Sequence, residues 1–166
     1  MNTITALLLT TFLSAMQLPP TSDTSAVSYT HFPTKTHAFV WRNWQLVETE
    51  CMADTIGAHP EDIVRMGEAM GLSSPPVISP EIRKRAYITI IRRNWHILPY
   101  EQMMALLQMS EEDLAFTLRE DDFLYTKLGN KKPSCEPIIY IEPTAAILEA
   151  EKALAKQIQQ AFPKGP

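Results

Sequence analysis

Apolar residues in this chain come in short bursts at helical spacing, and two of the bursts match each other. Phe39, Val40, Leu46, Val47, Ile56 and Ile63 are answered 51 positions later by Ile90, Ile91, Ile97, Leu98, Leu107 and Leu114. Polar and aromatic positions follow the same offset. Arg42-Asn43-Trp44 returns as Arg93-Asn94-Trp95, Glu50 as Glu101, Met52 as Met103, and Glu61-Asp62 as Glu112-Asp113. Seven of the 34 positions shared by residues 39–72 and 90–123 are identical, where about two are expected from composition. The pattern predicts two copies of one short helical unit. Two units are too few for a solenoid, so a pair packed face to face is expected.

Each copy parses into three helices. The first carries Arg-Asn-Trp. In the second copy it opens at Ser79 as N-cap with Pro80 behind it, both suited to a helix start. The second helix spans Glu48 to Ile56, and Pro99 to Gln108 in the other copy. The third opens at His59-Pro60-Glu61-Asp62 and at Ser110-Glu111-Glu112-Asp113, where acidic first turns complement the helix dipole. Gly71 is a natural stop for the first copy. Beyond Leu124 the pattern lapses into a Pro-, Gly- and Lys-containing strap. Thr144 to Phe162 then reads as a clear amphipathic helix. Ile147, Leu154, Ile158 and Phe162 form its stripe, with Glu149, Glu151, Lys152 and Lys156 off it.

The resulting organisation is an all-α chain. Residues 1–22 are an apolar leader, 23–36 a linker, 37–74 the first helical repeat and 79–126 the second. Residues 127–142 are an irregular strap and 143–162 a C-terminal helix. The leader carries no charged side chain, and its apolar run from Ala6 to Met16 has the length of a signal-peptide core. It lacks the usual basic residue ahead of that run. Export to the periplasm, cell surface or medium is the expectation, with a cytoplasmic location as the alternative.

Composition narrows the picture only a little. With 45% apolar residues the chain can build a core, and its 13 prolines cluster outside the periodic segments or, like Pro60, Pro80 and Pro99, at helix starts. A net charge of −4 argues against a general polyanion binder. Cys51 and Cys135 form an even pair that could bridge in an oxidising compartment, but no Cys-x-x-Cys spacing points to redox or zinc chemistry. His31, His37, His59 and His96 show no ligand spacing, and no Gly-x-Ser-x-Gly elbow is present. No catalytic, cofactor-binding or metal-binding residues are assigned.

Contact surfaces are the remaining candidates. Arg83, Lys84, Arg85, Arg92 and Arg93 make the first helix of the second copy basic, which reads as a solvated face pairing with the acidic third helices or as a site for an anionic partner. Trp44 and Trp95, matched and embedded among apolar residues, read as core. Trp41 stands where the other copy has Arg92, which makes Trp41 the better exposed contact. Trp41, Arg83, Lys84 and Arg92 are therefore the candidate contact residues.

Two resemblances bear on function. Glu50 to Met70 and Glu101 to Leu118 look like helix-turn-helix units, over about 20 residues each. DNA reading needs polar or basic residues early in the third helix, where this chain places Glu61, Asp62, Glu111, Glu112 and Asp113. Separately, the run Arg93-Asn94-Trp95-His96-Ile97-Leu98-Pro99-Tyr100-Glu101-Gln102, with Leu114 to Leu124 and Lys127-Leu128-Gly129, resembles an N-terminal region of large exported bacterial proteins associated with glycan breakdown. That resemblance spans residue 39 to about 162. It brings no catalytic residues, and it implies a leading module with chemistry in a downstream domain. The expected function is thus a non-catalytic accessory or interaction module of an exported bacterial protein, meeting a protein domain or a glycan surface. A cytosolic helix-turn-helix DNA-binding regulator is the alternative.

Overall fold

The computed structural model describes residues 17–163. The apolar run from Ala6 to Met16 lies outside the described residues. Eight helices and two short strands follow in the order β1 (Thr21–Ser25), α1 (Lys35–Asn43), α2 (Thr49–Ile56), α3 (Pro60–Ala69), α4 (Pro80–Asn94), α5 (Tyr100–Leu107), α6 (Glu111–Glu120), α7 (Leu124–Lys127), β2 (Lys132–Ser134) and α8 (Ala145–Ala161). None of these helices is long and apolar enough to cross a membrane.

The helix ends are set by local chemistry. Thr34, Ser79, Ser110 and Thr144 each accept a backbone N–H from the first turn of the helix they precede. Asp62 reaches back to accept the N–H of His59 at 3.0 Å. Gly71, at φ +80°, closes α3 with a Schellman motif: Leu72 N–H donates to Gly67 O and Gly71 N–H to Glu68 O. The left-handed residue after α2 is Gly57, and the one after α5 is Gln108.

α1–α3 and α4–α6 form two three-helix segments that meet through α1 against α4 and α2 against α5. At their centre Asn43 and Asn94, both fully buried, exchange amide hydrogen bonds of 3.0 and 2.8 Å. Each amide also donates to the carbonyl one turn earlier, Phe39 O and Ile90 O. Beside them Arg42 donates to Arg93 O and Arg93 to Arg42 O, both at 2.7 Å. The Arg-Asn pairs are thus consumed in joining the segments.

Trp44 and Trp95 are core residues, 3% and 1% exposed. Their indole N–H groups donate to Ser73 O and Lys131 O, the chain just beyond each segment. Trp95 is enclosed edge-on by Tyr100 and Tyr125. Trp44 lies instead on Gly67, where an added Cβ would fall 2.2 Å from the indole. Gly67→Ala therefore sets a helix-propensity gain of about 1 kcal/mol against displacement of a buried ring. The clash wins, and urea unfolding is expected to show a net loss of about 1–2 kcal/mol.

The fold is mostly helical, as expected, with one small two-stranded sheet: β1 pairs in parallel with β2, with Thr21 opposite Lys132 and an irregularity between Ser22 and Ser25. Three expectations need correction. Residues 23–25, read as linker, lie in β1, and residues 132–134, read as part of the irregular strap, form β2. Cys51 and Cys135 are free thiols. Cys51 faces the carbonyl of Leu106 on α5, whereas Cys135 sits beyond β2 near Trp95 O, so their surroundings differ. Finally, Glu151 is not off the stripe of α8. It is 3% exposed and lies between Ile147 and Leu154 on the inner face.

Candidate functional site

Three places concentrate polar groups or open space. The first is the seat of α8. Thr34, the N-cap of α1, lies 2.7 Å from His37 Nδ1, and His37 Nε2 lies 2.8 Å from Glu151 Oε1. Arg65 of α3 completes the chain at 3.2 and 3.3 Å from the two carboxylate oxygens. A proton on Nε2 facing the carboxylate leaves Nδ1 to accept the Thr34 hydroxyl. Both ring nitrogens are then occupied, which makes the network a clamp between α1, α3 and α8. Beside it opens a cleft of about 210 Å³ lined by Lys35, His37, Arg65 and the strap residues Pro137 to Ile141. No spacing rule flags His37, because Glu151 lies 114 residues away and Arg65, which meets the same carboxylate, lies 28 away.

The second place is Lys132, which is fully buried. Its ammonium donates to Trp95 O at 3.0 Å, Leu98 O at 2.8 Å and Pro133 O at 3.2 Å, with Cys135 Sγ at 3.3 Å. It also lies over the rings of Trp95 and Tyr100. Carbonyls left open at the end of α4 and in its following turn explain why a cation is tolerated here. Burial pushes the Lys132 pKa down, and Cys135 partly offsets this.

Next to Lys132, the Tyr100 hydroxyl is buried without a hydrogen-bond partner among the described residues. Burial raises its pKa well above the ordinary tyrosine value. The folded state therefore keeps Tyr100 neutral where the unfolded chain ionises it. Stability is intact below about pH 10 and is lost as pH rises beyond that. Lys132 acts in the opposite sense, its burial penalty easing as pH approaches the ordinary lysine range. Tyr100→Phe is expected to raise stability by about 1 kcal/mol at neutral pH and to flatten the alkaline decline. Thermal melts from pH 7 to 11 check both effects.

The third place concerns how an extended chain is held. The strap runs through a groove at the end of α2, opposite α5. Gln102 accepts Ile138 N–H at 2.8 Å and donates to Ile138 O at 2.6 Å, as well as to Thr55 O. Tyr140 N–H donates to Ile56 O, and its hydroxyl to Asp62 at 3.0 Å. Ile138 is buried, while Ile139 and Ile141 are exposed, the alternation of a strand.

On the far side of the α2–α5 pair a larger cleft of about 450 Å³ stays open. Val47, Cys51, Ile90, Leu106 and Leu107 line its floor, with Glu48, Arg83, Lys84 and Gln108 among its rim residues. Burial first, and Glu48 second, raises the pKa of the Cys51 thiol. Arg83 bridges Glu48, just before α2, and Gln108, just beyond α5, instead of reaching the acidic third helices.

Of the sequence-predicted contact residues, Arg83 and Lys84 thus fall together at this cleft. Arg92 is exposed farther along α4, and Trp41 is half-buried against Phe32 beside a separate small cavity. Comparison with known proteins gives no matching family, no similar curated protein and no similar solved structure, so the chemistry has to be read from this geometry.

Proposed function

We propose that the chain is a non-catalytic interaction module of an exported bacterial protein, built from two copies of one three-helix unit and recognising extended segments of protein partners. The observation that carries this reading is the seated strap. The fold already grips an extended chain by its backbone: the Gln102 side-chain amide pairs with Ile138 N–H and O, the Ile56 carbonyl accepts Tyr140 N–H, and Ile138 and Tyr140 turn inward. The two-copy reading draws on the reciprocal Arg42–Arg93 and Asn43–Asn94 bonds, each linking positions 51 apart. Export draws on the apolar leader, and the placing within a glycan-processing protein on the resemblance around Arg93 to Gln102.

The regulator alternative is disfavoured by charge. α3 and α6 open with Glu61, Glu111, Glu112 and Asp113 on the surface, and carboxylates there repel phosphates. A peptide array of apolar-alternating and scrambled sequences, probed with the folded chain, tests the proposal. Selective retention of the alternating sequences is expected. Retention of none, or duplex-DNA binding that falls steeply with salt, would overturn it.

A further inference from the structure

Resting on that interaction reading, we infer that the open cleft between α2 and α5 is a second strap groove that takes an extended partner segment, apolar at alternate positions and flanked by carboxylates. Ile56 and Gln102 bond the backbone of the chain's own strap, Thr55 O accepts the Gln102 amide, and Asp62 accepts the Tyr140 hydroxyl. Shifted by 51 positions, Thr55, Ile56 and Gln102 become Leu106, Leu107 and Cys51, and all three line the open cleft; the counterpart of Asp62, Asp113, lies outside that lining. Their contacts mirror each other as well. Gln102 donates to Thr55 O across the α2–α5 pair, and Cys51 Sγ faces Leu106 O at 3.2 Å in the reverse direction. One side of the helix pair is therefore covered by residues 137–141, and its counterpart is uncovered.

What covers the filled side indicates what fits the open one. The strap presents Ile138 and Tyr140 inward, turns Ile139 and Ile141 outward, and is bounded by the exposed carboxylates Glu136 and Glu142. The open cleft has an apolar floor of Val47, Ile90, Leu106 and Leu107. Its rim carries Arg83 and Lys84, with Arg85 following on the exposed face of α4. Glu48 is the acidic residue of the lining, and Arg83 already pairs with it. A segment with acidic flanks meets this basic rim with complementary charge. The principal difference is chemical: Cys51 cannot supply the paired amide bonds that Gln102 gives the strap. A partner here is held by apolar contact and rim charge, and more weakly than the covalently attached strap.

The test uses the full chain and a labelled peptide, Glu-Pro-Ile-Ile-Tyr-Ile-Glu, which copies residues 136–142. Fluorescence anisotropy is expected to show saturable binding that weakens with salt. Cys51→Gln restores the missing amide and should tighten binding about tenfold, the effect of an added pair of hydrogen bonds. Lys84→Glu, on the rim and away from the core, should weaken it several-fold. A peptide carrying Ile138→Asp and Tyr140→Asp should not bind. Circular dichroism confirms that each variant is folded.

Binding indifferent to both Cys51→Gln and Lys84→Glu would place the peptide elsewhere. That result overturns this inference and leaves the interaction module standing. Equal binding of the doubly substituted peptide also overturns it. Absence of peptide binding to wild type and to Cys51→Gln overturns it too, and the peptide array then decides separately whether the module reading falls with it.

Discussion

Trp95→Ala is expected to lower unfolding stability by about 3–5 kcal/mol, the largest loss from any single substitution considered for this fold. The indole is enclosed by Tyr100 and Tyr125, donates to Lys131 O, and lies under the Lys132 ammonium. Truncation removes the packing of a large ring and leaves Lys131 O without its donor. It also takes from Lys132, a buried charge, one of its two aromatic faces, leaving that of Tyr100. Urea unfolding monitored by circular dichroism measures the loss. Near-wild-type stability would mean the ring contributes little to the core. Because Lys132 stands opposite Thr21 in the β1–β2 pairing and Lys131 leads into it, the variant is also expected to loosen the strand pair before global unfolding. Hydrogen exchange at the Lys132 and Ser134 amides reports that order of events.

Asn94→Leu comes second, at about 2–3 kcal/mol. It strips Asn43 of a donor and an acceptor at a site that no water reaches without opening the joint. The informative variant is the double one. Asn43→Leu with Asn94→Leu replaces both partners by apolar groups of similar shape, and no orphaned amide remains. The double variant should therefore cost clearly less than the sum of the singles, with a coupling of about 1 kcal/mol or more. Strict additivity would show that the two amides do not depend on one another.

Much of this architecture was legible in the residues. The caps Ser79 and Ser110 and the helix start at Thr144 are readable from the residues, and the structure keeps all three. What escaped shares one physical cause, which is polar groups serving burial or pairing that hydropathy does not register. β1 reads Thr-Ser-Asp-Thr-Ser and is mostly exposed, so no apolar alternation is needed and none signals a strand. Glu151 occupies the centre of an apolar stripe because His37 and Arg65 await it there, partners visible only after folding. Lys132 is buried because the end of α4 offers carbonyls to a donor. At the candidate cleft, Arg83 and Lys84 were flagged by charge alone. Cys51 and Leu107, from other helices, could be added only once α2 met α5.

The bonds joining the two halves have a wider consequence. Arg42 gives to Arg93 what Arg93 gives to Arg42, and the asparagines trade in the same way. Such self-complementarity is the hallmark of an isologous contact between separate subunits, where occupancy depends on concentration. Carried on one polypeptide, the contact is closed by the intervening chain at a fixed effective concentration. Dilution cannot part the halves, so the joint persists at any concentration where the chain itself is folded.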